Sequence, residues 1–183
     1  MPERDAGLAG GGARAQAVLL ARRAGEFLLR QGGPQVAVLE LGGWDSHANQ
    51  AAPQGALANN LKLLDASIGA LRESLSGSAT AWSRTVVLVV TEFGREVAVN
   101  GTMGTDHGSG GAAFVLGGAV RGGRVIADWP GLAPKDRFEG RDLRITTDLR
   151  AVFKGVLHDH LRVARATLDT TVLPGSSTVQ PLE

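Results

Sequence analysis

Residues 85–111, Thr-Val-Val-Leu-Val-Val-Thr-Glu-Phe-Gly-Arg-Glu-Val-Ala-Val-Asn-Gly-Thr-Met-Gly-Thr-Asp-His-Gly-Ser-Gly-Gly, decide how the rest of the chain is read. The stretch begins with an uncharged, mostly β-branched run at residues 86–90. Such a run predicts a strand buried on both faces, as in the middle of a parallel sheet. It ends abruptly in Thr91, Glu92, Phe93, Gly94 and Arg95, so a carboxylate and a guanidinium follow the carboxyl end of the strand. In open α/β sheets that edge is where ligands bind. Asp106 and His107 come next, bracketed by Gly104 and Gly108, which let the backbone turn and approach a ligand.

Working towards the amino terminus, a second segment of the same kind precedes it. Residues 35–41 read as a strand ending at Gly42 and Gly43, with Trp44, Asp45, Ser46 and His47 immediately after. Between the two strands, Leu57, Leu61, Leu64, Ile68, Leu71 and Leu75 mark a long amphipathic helix. Strand, helix and strand form one crossover, which predicts parallel strands joined with a right-handed connection. Both strand ends then point to one edge, and Asp45, His47 and Glu92 become neighbours. The expected class is therefore α/β. A helix over residues 15–30 precedes this unit, with Ala17, Leu20, Ala21, Ala24, Phe27 and Leu28 at helical spacing. After it, residues 112–116, 124–127 and 142–145 read as short strands. Thr147 reads as the N-cap of a last helix, with Asp148 in its first turn and an apolar face of Leu149, Val152, Phe153, Val156 and Leu157. The expected organisation is a flexible leader over 1–14, one domain over 15–172, and a polar tail over 173–183.

Composition narrows the function. The chain has 183 residues, no cysteine and a formal net charge of +1. Disulfides and thiolate metal sites are excluded, and there is no bulk electrostatic case for nucleic acid. No apolar run reaches the roughly 20 residues of a membrane span, and residues 1–12 have no signal-peptide h-region. No Gly-x-Gly-x-x-Gly follows a first strand.

Two polar clusters carry chemistry. Asp45 and His47, two apart on a loop, can both reach one cation, and carboxylate with neutral imidazole suits zinc, manganese or iron. The plainer reading makes Asp45 a turn cap and His47 an exposed side chain. The second cluster is Glu92, Arg95, Asp106 and His107. Its plainer reading is a surface ion pair and a glycine-rich turn. Together the clusters could supply ligands for one or two metals that polarise a phosphoryl or sulfuryl oxygen. Arg95 is the candidate anion holder, because its planar fork matches phosphate or sulfate oxygens. His158 and His160 read as structural residues at a helix end, and Arg150 as a solvated helix residue.

The ordered set Leu41-Gly-Gly-Trp-Asp-Ser-His-Ala-Asn-Gln50, residues 91–95, Asn100-Gly101, residues 104–108 and residues 147–150 resembles the DUF1501 family of bacterial proteins, which the resemblance places with the alkaline phosphatase and sulfatase-like superfamily. The resemblance implies a three-layer α/β/α sandwich with a mainly parallel sheet, here incomplete, since the chain looks like the carboxyl-terminal half of a family member. It also implies an exported, periplasmic protein. Asp45 and His47 resemble the Asp and His that metal-dependent members place after one strand. Glu92, Phe93 and Gly94 stand where those members carry Asp-His-Gly, so Phe93 replaces a ligand. His107 resembles a further His ligand, with Asp106 beside it.

The expectation is a metal-dependent hydrolase of phosphate or sulfate esters without its nucleophile half, taking a small anionic ester. Asp45, His47, Glu92, Asp106 and His107 are the metal ligands, and Glu92 and Arg95 the catalytic candidates. The alternative is a non-catalytic binding or structural protein of the same fold. An incomplete sheet would also expose apolar edges and favour self-association.

Overall fold

A computed structural model describes residues 3–50, 52–179 and 181. The chain divides into two compact units. One comprises Met1–Trp82 with Asn100–Gly104, the other Ser83–Val99 with Thr105–Glu183.

The first unit is built on two helices, α1 (Glu3–Leu28) and α2 (Ala56–Leu75), packed against each other. The periodicity that predicts them is real, but small residues make much of the contact. Ala21 and Ala24 of α1 are buried, and so are Ala70, Leu71 and Leu75 of α2, whereas Leu20 and Phe27 remain exposed. A Cβ at Gly25 would lie 2.7 Å from the Ser74 hydroxyl, so only glycine permits this approach. Ser74 donates to the Arg22 carbonyl at 2.9 Å, and Arg22 pairs with Glu73 at 2.7 Å. α1 begins at Glu3, well ahead of the expected start at Ala15 and within the stretch read as a leader.

Among the described residues the parallel sheet does not form. Residues 35–41 contain no strand, and Val36 and Val38 are 59% and 90% exposed. The second unit instead holds two small antiparallel pairs. β1 (Val87–Val89) pairs with β4 (Phe114–Leu116), matching Val87 to Leu116 and Val89 to Phe114. β2 (Gly94–Arg95) pairs with β3 (His107–Gly108), matching Arg95 to His107. The expected three-layer α/β/α sandwich with a mainly parallel sheet is therefore overturned. The physical reason is that an apolar run records a preference for burial, while a central strand also needs a paired neighbour on each side. β1 has β4 alone, and its three residues are only half-buried. Residues 124–127 are irregular too, with Val125 91% exposed. Asp142 forms isolated bridges to Glu96 and Phe138 where a strand over 142–145 was expected.

The last long helix, α3 (Leu149–Asp159), departs from expectation at its start and on its buried face. Its N-cap is Asp148, not Thr147, because the Asp148 carboxylate accepts from the Arg150 amide at 2.8 Å. The Arg150 side chain returns to the same carboxylate at 2.7 Å. These bonds hold the Asp148 carboxyl below its ordinary range, the Arg150 side chain contributing most. The buried residues are Ala151, Lys154 and Gly155 rather than the larger apolar ones. The following chain covers that small-residue face. Lys154 donates to Asp169 and to the Ser176 carbonyl, both at 2.7 Å, and a Cβ on Gly155 would lie 2.1 Å from the Val179 carbonyl.

Asp142 anchors the second unit. It is 2% exposed, and its carboxylate accepts from the Ser109 hydroxyl at 2.8 Å and from Arg141 at 2.8 Å. Arg141 also reaches Glu96 at 3.2 Å. The Ser109 bond is the largest cause holding the Asp142 carboxyl below its ordinary value, against burial, which opposes it. The unfolded chain then binds this proton more tightly than the folded one. The stabilisation is full above the ordinary carboxylate pKa of about 4 and is lost as pH falls through the lower folded value.

Asp142→Asn should lower stability at pH 7 by about 1.5–3 kcal/mol, the worth of a hydrogen bond to a charged group. Urea unfolding should show the gap to wild type closing below about pH 4. A gap that stays constant into acid would overturn the assignment. Asp148→Ala should lower the melting temperature through loss of the cap.

Candidate metal centre

In the first unit the loop before α2 turns sharply at Gly43, whose φ of +89° favours glycine. Asn60, in the first turns of α2, donates its amide to the Gly43 carbonyl and ties this loop to the helix. The Ser46 amide closes a tight turn on the Trp44 carbonyl at 3.0 Å. Beyond the turn Asp45 and His47 meet, with His47 Nε2 2.9 Å from Asp45 Oδ1. Their side chains are 58% and 46% exposed.

The residues after this pair are held by Asn100–Gly104, a later segment of the chain that belongs to the first unit. The His47 carbonyl accepts from Asn100 Nδ2 at 3.0 Å and from the Thr102 hydroxyl at 2.6 Å. The Asn49 amide donates to the Thr102 carbonyl, and the Gln50 amide to the Met103 carbonyl, each at 3.0 Å. Asn100 Oδ1 in turn accepts from the amides of Thr102 and Gly104, both at 3.0 Å. Gly104 passes so close that a Cβ there would lie 2.1 Å from the His47 carbonyl oxygen.

The second unit holds the other candidates. Glu92 is exposed and lies just before β2. Arg95, on β2, donates to the Thr105 carbonyl at 2.8 Å, and its guanidinium stands 5.0 Å from the Phe93 ring. The Phe93 ring also stacks on His107, with centroids 4.1 Å apart and planes 17° from parallel. Asp106 and His107 are exposed, and the Asp106 carbonyl accepts from the Glu96 amide at 3.0 Å. An open cleft of about 410 Å³ in this unit is lined by Phe93, Arg95, Glu96, Trp129, Leu132 and Leu143 among others. His158 and His160 stay apart from these groups in role: His158 contacts the Val163 carbonyl at 2.9 Å and His160 caps α3.

The donor chemistry suits a cation. Two ligand atoms bonded to a tetrahedral zinc at about 2.0–2.1 Å stand about 3.3 Å apart. The Asp45 oxygen and His47 nitrogen, at 2.9 Å, need to part by only a few tenths of an ångström. On His107, stacking covers a face of the ring, whereas a ring nitrogen donates in the plane, at the edge. Phe93 therefore walls the His107 ring, where the resemblance shows only a replaced histidine.

Sequence reasoning missed Asn100 and Thr102 as functional candidates. The Asn-Gly pair at 100–101 signals a turn, but nothing in a single sequence says which backbone the turn will grip. Among the described residues no helix is long and apolar enough to cross a membrane.

The family described as "Protein of unknown function (DUF1501)" matches residues 2–172. No curated protein and no solved structure matches the chain. With nearly the whole sequence matched in one span, the chain belongs to the DUF1501 family.

Proposed function

We propose that Asp45, His47 and His107 hold one divalent cation, and that the protein acts on phosphate or sulfate esters. The observation that carries the metal reading is the convergence of a carboxylate and an imidazole, 2.9 Å apart, on a loop whose backbone is fixed from behind. His107 joins the set through the motif order, as the further histidine ligand that the resemblance implies. All three side chains are exposed, as exchange with solvent ions requires.

The ester reading rests on the motif order and on Arg95. Arg95 bonds the Thr105 carbonyl and is among the residues lining an open cleft, and the planar fork of a guanidinium suits an anionic ester. A bound cation supplies Lewis acidity toward a phosphoryl or sulfuryl oxygen. Glu92, exposed at the start of the same segment, is the candidate acid or base. Phe93 favours one cation over two, because it puts a hydrocarbon face where a second imidazole would stand. Kinship with the alkaline phosphatase and sulfatase-like superfamily belongs to this reading through the motifs alone.

Elemental mass spectrometry of the purified chain tests the centre. Wild type reconstituted with zinc, manganese or iron should carry close to one ion per chain, and Asp45→Ala, His47→Ala and His107→Ala should each lose most of it. Absence of metal from reconstituted wild type would sink the reading. Loaded wild type should then hydrolyse p-nitrophenyl phosphate or sulfate, and Arg95→Ala should reduce that rate. Stoichiometric metal with no hydrolysis of either ester would favour a binding protein over an enzyme.

A further inference from the structure

We infer that Asn100 and Thr102 are positioning residues for the metal centre, gripping the main chain of His47 so that its imidazole and the Asp45 carboxylate meet a cation in one geometry. The inference rests on the metal reading above and goes beyond it, since neither residue is a ligand.

The argument starts from the carbonyl of His47. A peptide oxygen has two lone pairs, and here Asn100 Nδ2 and the Thr102 hydroxyl are both within bonding distance, at 3.0 and 2.6 Å. The Asn100 amide can face only one way, because its oxygen receives two backbone N–H groups while its nitrogen meets a carbonyl. The Thr102 hydroxyl has one hydrogen for two acceptors, His47 O at 2.6 Å and Asn100 Oδ1 at 2.9 Å, and the shorter contact goes to His47. Two further main-chain bonds hold Asn49 and Gln50. The peptide directly after His47 is thus held at its carbonyl, and the next two peptides at their amides.

This bonding is more than a turn needs for itself. The Asn100 carbonyl already accepts from the Met103 amide at 3.2 Å, and the Gly104 carbonyl accepts from the Asn100 amide at 2.9 Å, which closes the turn. The two side-chain donors are spent on a residue more than fifty positions away in sequence. They converge on the one residue of that loop whose side chain is an imidazole. Partners that orient a ligand typically contribute 10–100-fold to metal affinity. Thr102 and Asn100 act one step further back, through the main chain, so the lower end applies.

The test is a competition titration of the full chain with zinc against a chromophoric chelator, alongside visible spectra of the cobalt form. Thr102→Val should bind zinc about tenfold more weakly and shift the cobalt d–d bands. Thr102→Ser, which restores the hydroxyl, should return both to wild type. Far-UV circular dichroism should be the same for all. Should the valine variant not fold, Thr102→Ala removes the same hydroxyl with less bulk. Wild-type affinity and an unchanged cobalt spectrum in a folded Thr102→Val or Thr102→Ala overturn the inference and leave the metal reading standing. Wild type that binds no zinc overturns both.

Discussion

The carbonyl oxygen of His47 is the constraint on which the first unit's polar loop depends. Two side chains and the close passage of Gly104 meet at this one atom. A carbonyl with two side-chain donors, flanked by paired amides at Asn49 and Gln50, leaves its peptide little freedom to rotate. Glycine at 104 is required because any side chain there would occupy the space of that oxygen. The first unit therefore contains a piece of chain separated from the rest of it by residues 83–99, which belong to the second unit. Closing such a non-local contact costs loop entropy before any bond forms. The network of hydrogen bonds around His47 is what offsets it.

Helices were legible in the sequence. The runs at 86–90 and 112–116 did yield the short strands β1 and β4, but which strands pair, and how, was not legible. The difference has a physical cause. A helix satisfies its own backbone, so a stripe of leucines from Leu57 to Leu75 is enough to place α2 at Ala56–Leu75. A strand satisfies its backbone on another strand. Residues 35–41 and 86–90 have the apolar content of central strands, yet the first has no ladder and the second keeps three paired residues. Side-chain pattern says where burial is wanted, and pairing is decided elsewhere in the chain. α3 shows the same limit within a helix. Its larger apolar residues suggested one face, but the chain after it crosses the face made by Ala151, Lys154 and Gly155. Small residues admit a crossing backbone, and a buried lysine is tolerable because Asp169 and a carbonyl take its charge and protons.

The candidate centre was legible to the extent that it depends on spacing along one loop. Asp45 and His47, two residues apart, meet as that spacing allows. The β-pairing of Arg95 with His107 could not be read, because the intervening residues give no register signal. Nor could the role of Phe93, which as a letter is the loss of a histidine ligand and in the structure is a ring stacked on His107. Asn100 and Thr102 were hidden for a similar reason. Their letters are those of an ordinary turn, and their function lies in which distant carbonyl the turn grips.

Two carboxylates show why the same residue type serves structure in one place and suits metal chemistry in another. Asp142 is almost fully buried, and both of its oxygens already hold charged or hydroxyl donors. A cation could reach it only by breaking those bonds inside the protein, at a cost of several kcal/mol for a buried charge left unpaired. Asp45 is more than half exposed, and its partner at 2.9 Å is an imidazole, itself a metal ligand. An exposed ion pair contributes about 0–1 kcal/mol. A cation entering between Asp45 and His47 displaces an exposed contact rather than a buried one and gains both donors at once. Burial and the identity of the partner, more than the carboxylate itself, separate the acid that holds the second unit together from the acid suited to a metal.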